Sequence, residues 1–204
     1  MLARRSLAMT PNHVTIAAIL VGLVASWLAS RGGYAYGALA GLLLEVNSIL
    51  DSCDGELARL RFQYSRLGQW LDNLSDDMVD NLLLVAVGAG LGGAWRTLGL
   101  AAAGGRLLVA VTTYLSVYRR TGTGDVFAFR WWFESGKQTA DDVYDPRSPI
   151  TWLRSFGRRD TYVFVWMIAL AAGLPPWVVC HGLVIALVNV SLLVLHFTVF
   201  RRAR

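Results

Sequence analysis

Long apolar runs alternate with short polar breaks along this chain. The runs have the length a helical bilayer span needs, about 20 residues. Six can be read, over residues 12–30, 34–60, 68–93, 98–118, 160–174 and 177–200. A polar stretch, 119–159, separates the fourth from the fifth, and "LPPW" ends the fifth. The fifth run is short and is expected to take length from the "RRDTY" region before it. The expected fold is therefore all-α: a polytopic membrane protein of six transmembrane helices, forming one membrane domain over residues 1–204. Neither an internal repeat nor a low-complexity segment interrupts the pattern.

Composition agrees with this reading. Of the 204 residues 55% are hydrophobic and only 16% charged, with a mean hydropathy of +0.46. That is too apolar for an ordinary soluble domain. The net charge of +5 would suit nucleic acid, but no nucleic-acid-binding motif is present, so no nucleic-acid partner is expected. In a membrane protein the same charge reads as basic cytoplasmic loops. Of the 19 Lys and Arg, only Arg31, Arg96 and Arg106 fall on or toward the side reached after the first helix. The others flank the opposite side. Both termini are therefore expected in the cytoplasm, which an even number of spans also requires, in a multi-pass protein of the cytoplasmic membrane. Cys53 and Cys180 lie in separate apolar segments, and no disulfide or zinc site is expected from them. The first run lacks a cleavage pattern, so no removable signal peptide is expected.

The second and third runs carry what a membrane helix should not. "ILDSCDGELARLRF" holds Asp51, Asp54 and Glu56, and Asp72, Asp76, Asp77 and Asp80 follow. An ionised side chain at mid-bilayer costs about 2.5–3.5 kcal/mol even on the lenient insertion scale. These acids must therefore face the bundle interior or a wet cavity. Asp51 and Asp54 are three apart, and Asp72, Asp76 and Asp80 are four apart, so each set shares a helix face. A tight hairpin at about 61–67 brings the two faces together. Carboxylates at this density repel unless a cation neutralises them, and all-oxygen ligands favour Mg²⁺, Mn²⁺ or Ca²⁺ over zinc. Gly55, four after Asp51, and Ala58, four after Asp54, leave a shallow surface where a flat ligand can approach the backbone. Arg59 can reach a phosphate, and Gly68 opens the third helix one turn before Asp72. Together these groups suit a diphosphate held by divalent metal. Spacing alone also allows a six-helix cation transporter with an acidic ion site. A transporter, however, should spread its acids near the midplane of several helices, whereas these cluster at one end of two.

The pattern Asp51-x-x-Asp54-Gly55-x-x-Ala58-Arg59, eight residues, Gly68-x-x-x-Asp72-x-x-x-Asp76 resembles the full signature of the CDP-alcohol phosphotransferase family. Every fixed position matches with the expected gap. "TPNHVT", Thr10 to Thr15, resembles the family's usual lead-in to its first helix. The resemblance implies transfer of a phospho-alcohol group from a CDP-alcohol donor to a hydroxyl acceptor, with release of CMP, in phospholipid or phosphodiester-polyol synthesis. It implies that Asp51, Asp54, Asp72 and Asp76 hold two divalent ions, Mg²⁺ or Mn²⁺, and that Asp76 is the base. It implies that Gly55, Ala58, Arg59 and Gly68 shape the cytidine and phosphate site, and that the active site faces the cytoplasm beside membrane lipid, usually in a homodimer. Asn12 and Thr15 read as residues that lead into the first helix and contact the nucleotide.

The motifs are most similar to the branch that includes di-myo-inositol phosphate phosphate synthases, which are often fused to a soluble cytidylyltransferase. No such domain is expected in these 204 residues. Many members carry Arg or Lys just after the last motif aspartate. Asp77 stands there instead, which argues against an anionic acceptor, although Arg154, Arg158 and Arg159 can restore the charge. Asp77 is expected to point away from the metal face by about 100° and Asp80 to support the site, or either to line the cavity, so neither is counted as catalytic. The 121–159 loop, with "FAFRWWF", reads as an interfacial segment or as a lid. "GLGG" (90–93) and "AAAGG" (101–105) read as close helix packing.

Overall fold

The computed structural model describes residues 11–60, 66–122, 129 and 158–202. Among these residues all regular structure is helical, in six helices: α1 (Pro11–Ser30), α2 (Tyr34–Leu60), α3 (Arg66–Leu91), α4 (Ala94–Thr121), α5 (Arg159–Ala171) and α6 (Pro175–Arg202). Their boundaries follow local chemistry. Pro11 and Pro175 open α1 and α6, where proline's missing N–H costs nothing. Gly122, at φ 65°, closes α4, and its N–H donates to the Tyr118 carbonyl at 2.9 Å, a left-handed cap.

Three helices are long and apolar enough to cross a membrane on composition: α1, α4 over Ala94–Arg120, and α6 over Pro175–Thr198. Apolar side chains such as Leu20, Leu100, Leu187 and Val194 point outward, as a lipid-facing surface requires. α2 and α3 are as long but carry the acids, and α5 has only 13 residues. At 1.5 Å per residue it spans about 20 Å, short of the bilayer core. It takes only Arg159 from the polar stretch before it and stops at Ala171, short of the expected 174.

α3 is the hub, packing against α1, α4 and α6, while α2 packs against α1 and α5. The core is built from Leu44 of α2, Leu83, Leu84 and Val87 of α3, Trp166 and Leu170 of α5, and Val178 and Val179 of α6. α1 runs close to both acid-bearing helices. A Cβ on Gly22 would stand 2.6 Å from Val79 Cγ1 and 3.3 Å from Asn47 Nδ2, so only hydrogen fits there.

The glycine-rich segments divide between two roles. Gly90 does pack closely, since a Cβ there would meet the Ala29 carbonyl oxygen at 2.3 Å. Gly92 and Gly93 have open space instead, with φ of 73° and 53°. They form the turn between α3 and α4, a conformation L side chains rarely adopt. Likewise Gly105 meets Ala186 of α6 while Gly104 meets nothing within 4 Å. The expected hairpin at 61–67 lies outside the described residues through position 65. The lid or interfacial segment also lies outside them except for Phe129, which is buried against His196.

Candidate active site

The end of α2 and the start of α3 bring their acids to one place. Asp51, Asp54 and Asp72 each offer a carboxylate oxygen, and the three atoms lie within 4.8 Å of one another. Three hard oxygen donors at this separation could hold a divalent cation. Asp76, one turn along α3 from Asp72, faces Asp51 across Arg159. The Arg159 Nη1 lies 2.8 Å from Asp76 Oδ1 and 3.1 Å from Asp51 Oδ2.

α1 contributes Thr15, whose hydroxyl donates to Asp54 Oδ2 at 2.5 Å. Both residues are buried. Asn12, one turn earlier, is exposed. Arg59 is also exposed and pairs with Glu56 at 2.8 Å within its own turn. A Cβ on Gly55 would make only an ordinary 3.6 Å contact with Arg59 Nη2, so the surface beside Asp54 is open. Gly55, Ala58 and Gly68 are half-buried.

A cavity of about 930 Å³ adjoins the acids and is walled by Asp51, Asp72 and Asp76 on one side. Asn73, Thr113, Tyr114 and Asn189 contribute hydrogen-bonding groups to its wall. Asp77 lines the same cavity and accepts a hydrogen bond from Tyr114 at 2.7 Å. It stands apart from the Asp51, Asp54 and Asp72 group and takes the cavity-lining place that the sequence also allowed it. It is rotated from Asp76 on the helix, but the cavity is wide enough to reach both.

Arg106, read by charge counting only as lying on or toward the far side, stands within α4 as the fourth apolar run placed it, and it has a partner the sequence did not name. Its Nη2 lies 3.1 Å from Asp80 Oδ2 and 2.8 Å from the Tyr162 hydroxyl. Tyr162 in turn donates to Asp80. Side-chain exposure is 9% for Arg106 and 1% for Asp80, so each supplies the counter-charge the other needs. The sequence carried one signal for this pair. A lone arginine inside an apolar span needs an acid at its own depth, and Asp80 is the deepest of the α3 aspartates. Asn47 of α2 joins the same network. Its Nδ2 donates to the Ala18 carbonyl at 2.8 Å and its Oδ1 accepts from Arg159 Nη2 at 3.2 Å. It thereby ties α1, α2 and α5 together.

Comparison with known proteins agrees with this geometry. The family model described as CDP-alcohol phosphatidyltransferase matches residues 8–188. The chain is similar to the bifunctional IPC transferase and DIPP synthase of Aquifex aeolicus, with 29% identity over 88% of this chain and 36% of that protein. It is also similar to the archaetidylinositol phosphate synthase of Pyrococcus horikoshii, with 36% identity over 42% of this chain and 44% of that protein. The chain spans about a third of the length of the Aquifex relative. A membrane bundle of six helices, with the motif acids gathered at one end of two of them and a family match across most of its length, places this chain in the CDP-alcohol phosphatidyltransferase family.

Proposed function

We propose that the chain is a divalent-metal-dependent transferase that moves a phospho-alcohol group from a CDP-alcohol to a hydroxyl acceptor and releases CMP. The convergence of Asp51, Asp54 and Asp72 from two helices beside the large cavity carries the reading. A transporter would not need its acids gathered at one end of two helices.

Asp51, Asp54, Asp72 and Asp76 would hold two ions, Mg²⁺ or Mn²⁺. Bound there, the ions would offset charge on the diphosphate and on the departing CMP. Thr15 fixes Asp54 by its hydrogen bond. Gly55, Ala58 and Gly68 leave room for the nucleotide, Arg59 reaches its phosphates, and Asn12 lies toward the same side. Asp76 takes the proton of the acceptor hydroxyl as that oxygen attacks the β-phosphorus. The new phosphorus–oxygen bond forms as the bond to the CMP oxygen breaks, and CMP leaves with the electron pair.

The polar wall of Asn73, Thr113, Tyr114 and Asn189 suits an acceptor rich in hydroxyls. The name of the Pyrococcus relative makes an inositol phosphate the first acceptor to try. The basic pattern of the loops favours a cytoplasmic site and cytoplasmic termini, and the family resemblance favours a homodimer. CDP-diacylglycerol and CDP-inositol are the two donors to compare. Incubating purified protein with Mg²⁺ and each donor, with an acceptor panel, should yield a new phosphodiester resonance by ³¹P NMR for one pair. Chelation should abolish it. Cleavage of the donor without any diester would contradict transfer.

A further inference from the structure

Arg159 touches more acids than any single role in substrate binding requires. Its Nη1 lies against both Asp76 and Asp51, its Nη2 against Asn47, and its Nε 3.6 Å from Asp80 Oδ2. One guanidinium thus holds two carboxylates that the proposed function gives to the metal, together with a third that lies outside the signature. That third carboxylate is fixed from behind by Arg106 at 3.1 Å and by the Tyr162 hydroxyl. A guanidinium and a divalent cation that share the same carboxylates compete. By linkage each lowers the affinity of the other by the same factor.

We propose that Arg159 is a built-in competitor of the cation at Asp51 and Asp76. Asp80, clamped by Arg106 and Tyr162, is the positioning residue that receives the guanidinium as the cation binds. The inference rests on the metal reading above. It gives Asp80 a role in cation affinity although it is no ligand. It also helps like charges at this density coexist before metal binds, because Arg159 offsets part of the charge at Asp51 and Asp76.

Mn²⁺ binding by the full-length protein in detergent, read from the EPR signal of the free ion, tests this without turnover. Arg159→Gln should tighten apparent Mn²⁺ affinity about fivefold or more. Asp80→Asn should weaken it by a similar factor, because the guanidinium then stays on Asp51 and Asp76. Arg159→Lys, a point charge that cannot span the same acids, should fall between wild type and Arg159→Gln. If Arg159→Gln does not fold, a tightening in Arg159→Lys carries the test. Arg158→Gln removes an equal charge from an exposed pair with Asp160 at 3.3 Å and should change affinity less than twofold. Structural damage would weaken binding in every variant, so a tightening cannot arise from it. Unchanged or weaker binding in Arg159→Gln overturns the inference alone. So does an equal tightening in Arg158→Gln, which would show a general charge effect. Absence of Mn²⁺ binding to the wild type overturns the metal reading and the inference with it.

Discussion

At the scale of single residues, the site is held together by contacts that cross between helices. Thr15 is the clearest case, since its hydroxyl is the side-chain donor to a buried carboxylate on another helix. Thr15→Val keeps the shape and removes the donor. It should destabilise the protein by about 1–3 kcal/mol, seen as a lower thermal midpoint in detergent. An unchanged midpoint would mean that Asp54 finds another donor. The motif aspartates were legible in the sequence because helical spacing puts each set on one face. The signature also singles out Asp51, Asp54, Asp72 and Asp76 from the other acids. Arg106 was not legible in the same way. Counting basic residues by side gives a charge its side but not its partner, and Arg106 lies thirteen positions into a 28-residue helix, where a side chain answers to its partner. For Asp77, helical rotation gives its direction away from the metal face, whereas its partner Tyr114 on α4 comes only from packing.

At the scale of elements, the apolar runs found the six helices of the described residues and missed mainly their ends. α2 matched its expected limits, whereas α4 and α6 extend further at both ends. Polar residues such as Arg119 and Arg120 continue a helix once it is formed, because they project beyond the apolar region. The turns between helices depend on backbone conformation. Hydropathy therefore cannot separate a glycine that packs from one that turns. Substitution can. Gly90→Ala places a methyl group 2.3 Å from the Ala29 carbonyl oxygen and must push α1 from α3, costing about 1–3 kcal/mol. Gly104→Ala meets nothing within 4 Å and should stabilise α4 by about 0.5–1 kcal/mol. Thermal unfolding of the two variants should shift in opposite directions, and a loss in both would mean that α4 is packed more tightly at Gly104 than its open surroundings indicate.

At the scale of the whole molecule, the bundle is a device for placing acids where lipid would exclude them. α1 crosses both acid-bearing helices, α5 delivers Arg159 and Tyr162, and α4 delivers Arg106 and Tyr114. The large cavity therefore opens where four helices meet charge. That assembly was only half legible in the sequence. The pairing of α2 with α3 at the site followed from the signature, whereas the contributions of α4 and α5 come from packing between segments far apart in the chain. The central claim is that these carboxylates perform metal-dependent transfer, with Asp76 as the base. The most direct measurement is CMP release by purified protein with Mn²⁺ and its productive donor and acceptor, wild type beside Asp76→Asn. Metal-dependent release is expected in the wild type, reduced about 10²–10⁴-fold in the variant while the protein stays folded. Wild-type rates in Asp76→Asn, or release indifferent to metal, would contradict the claim.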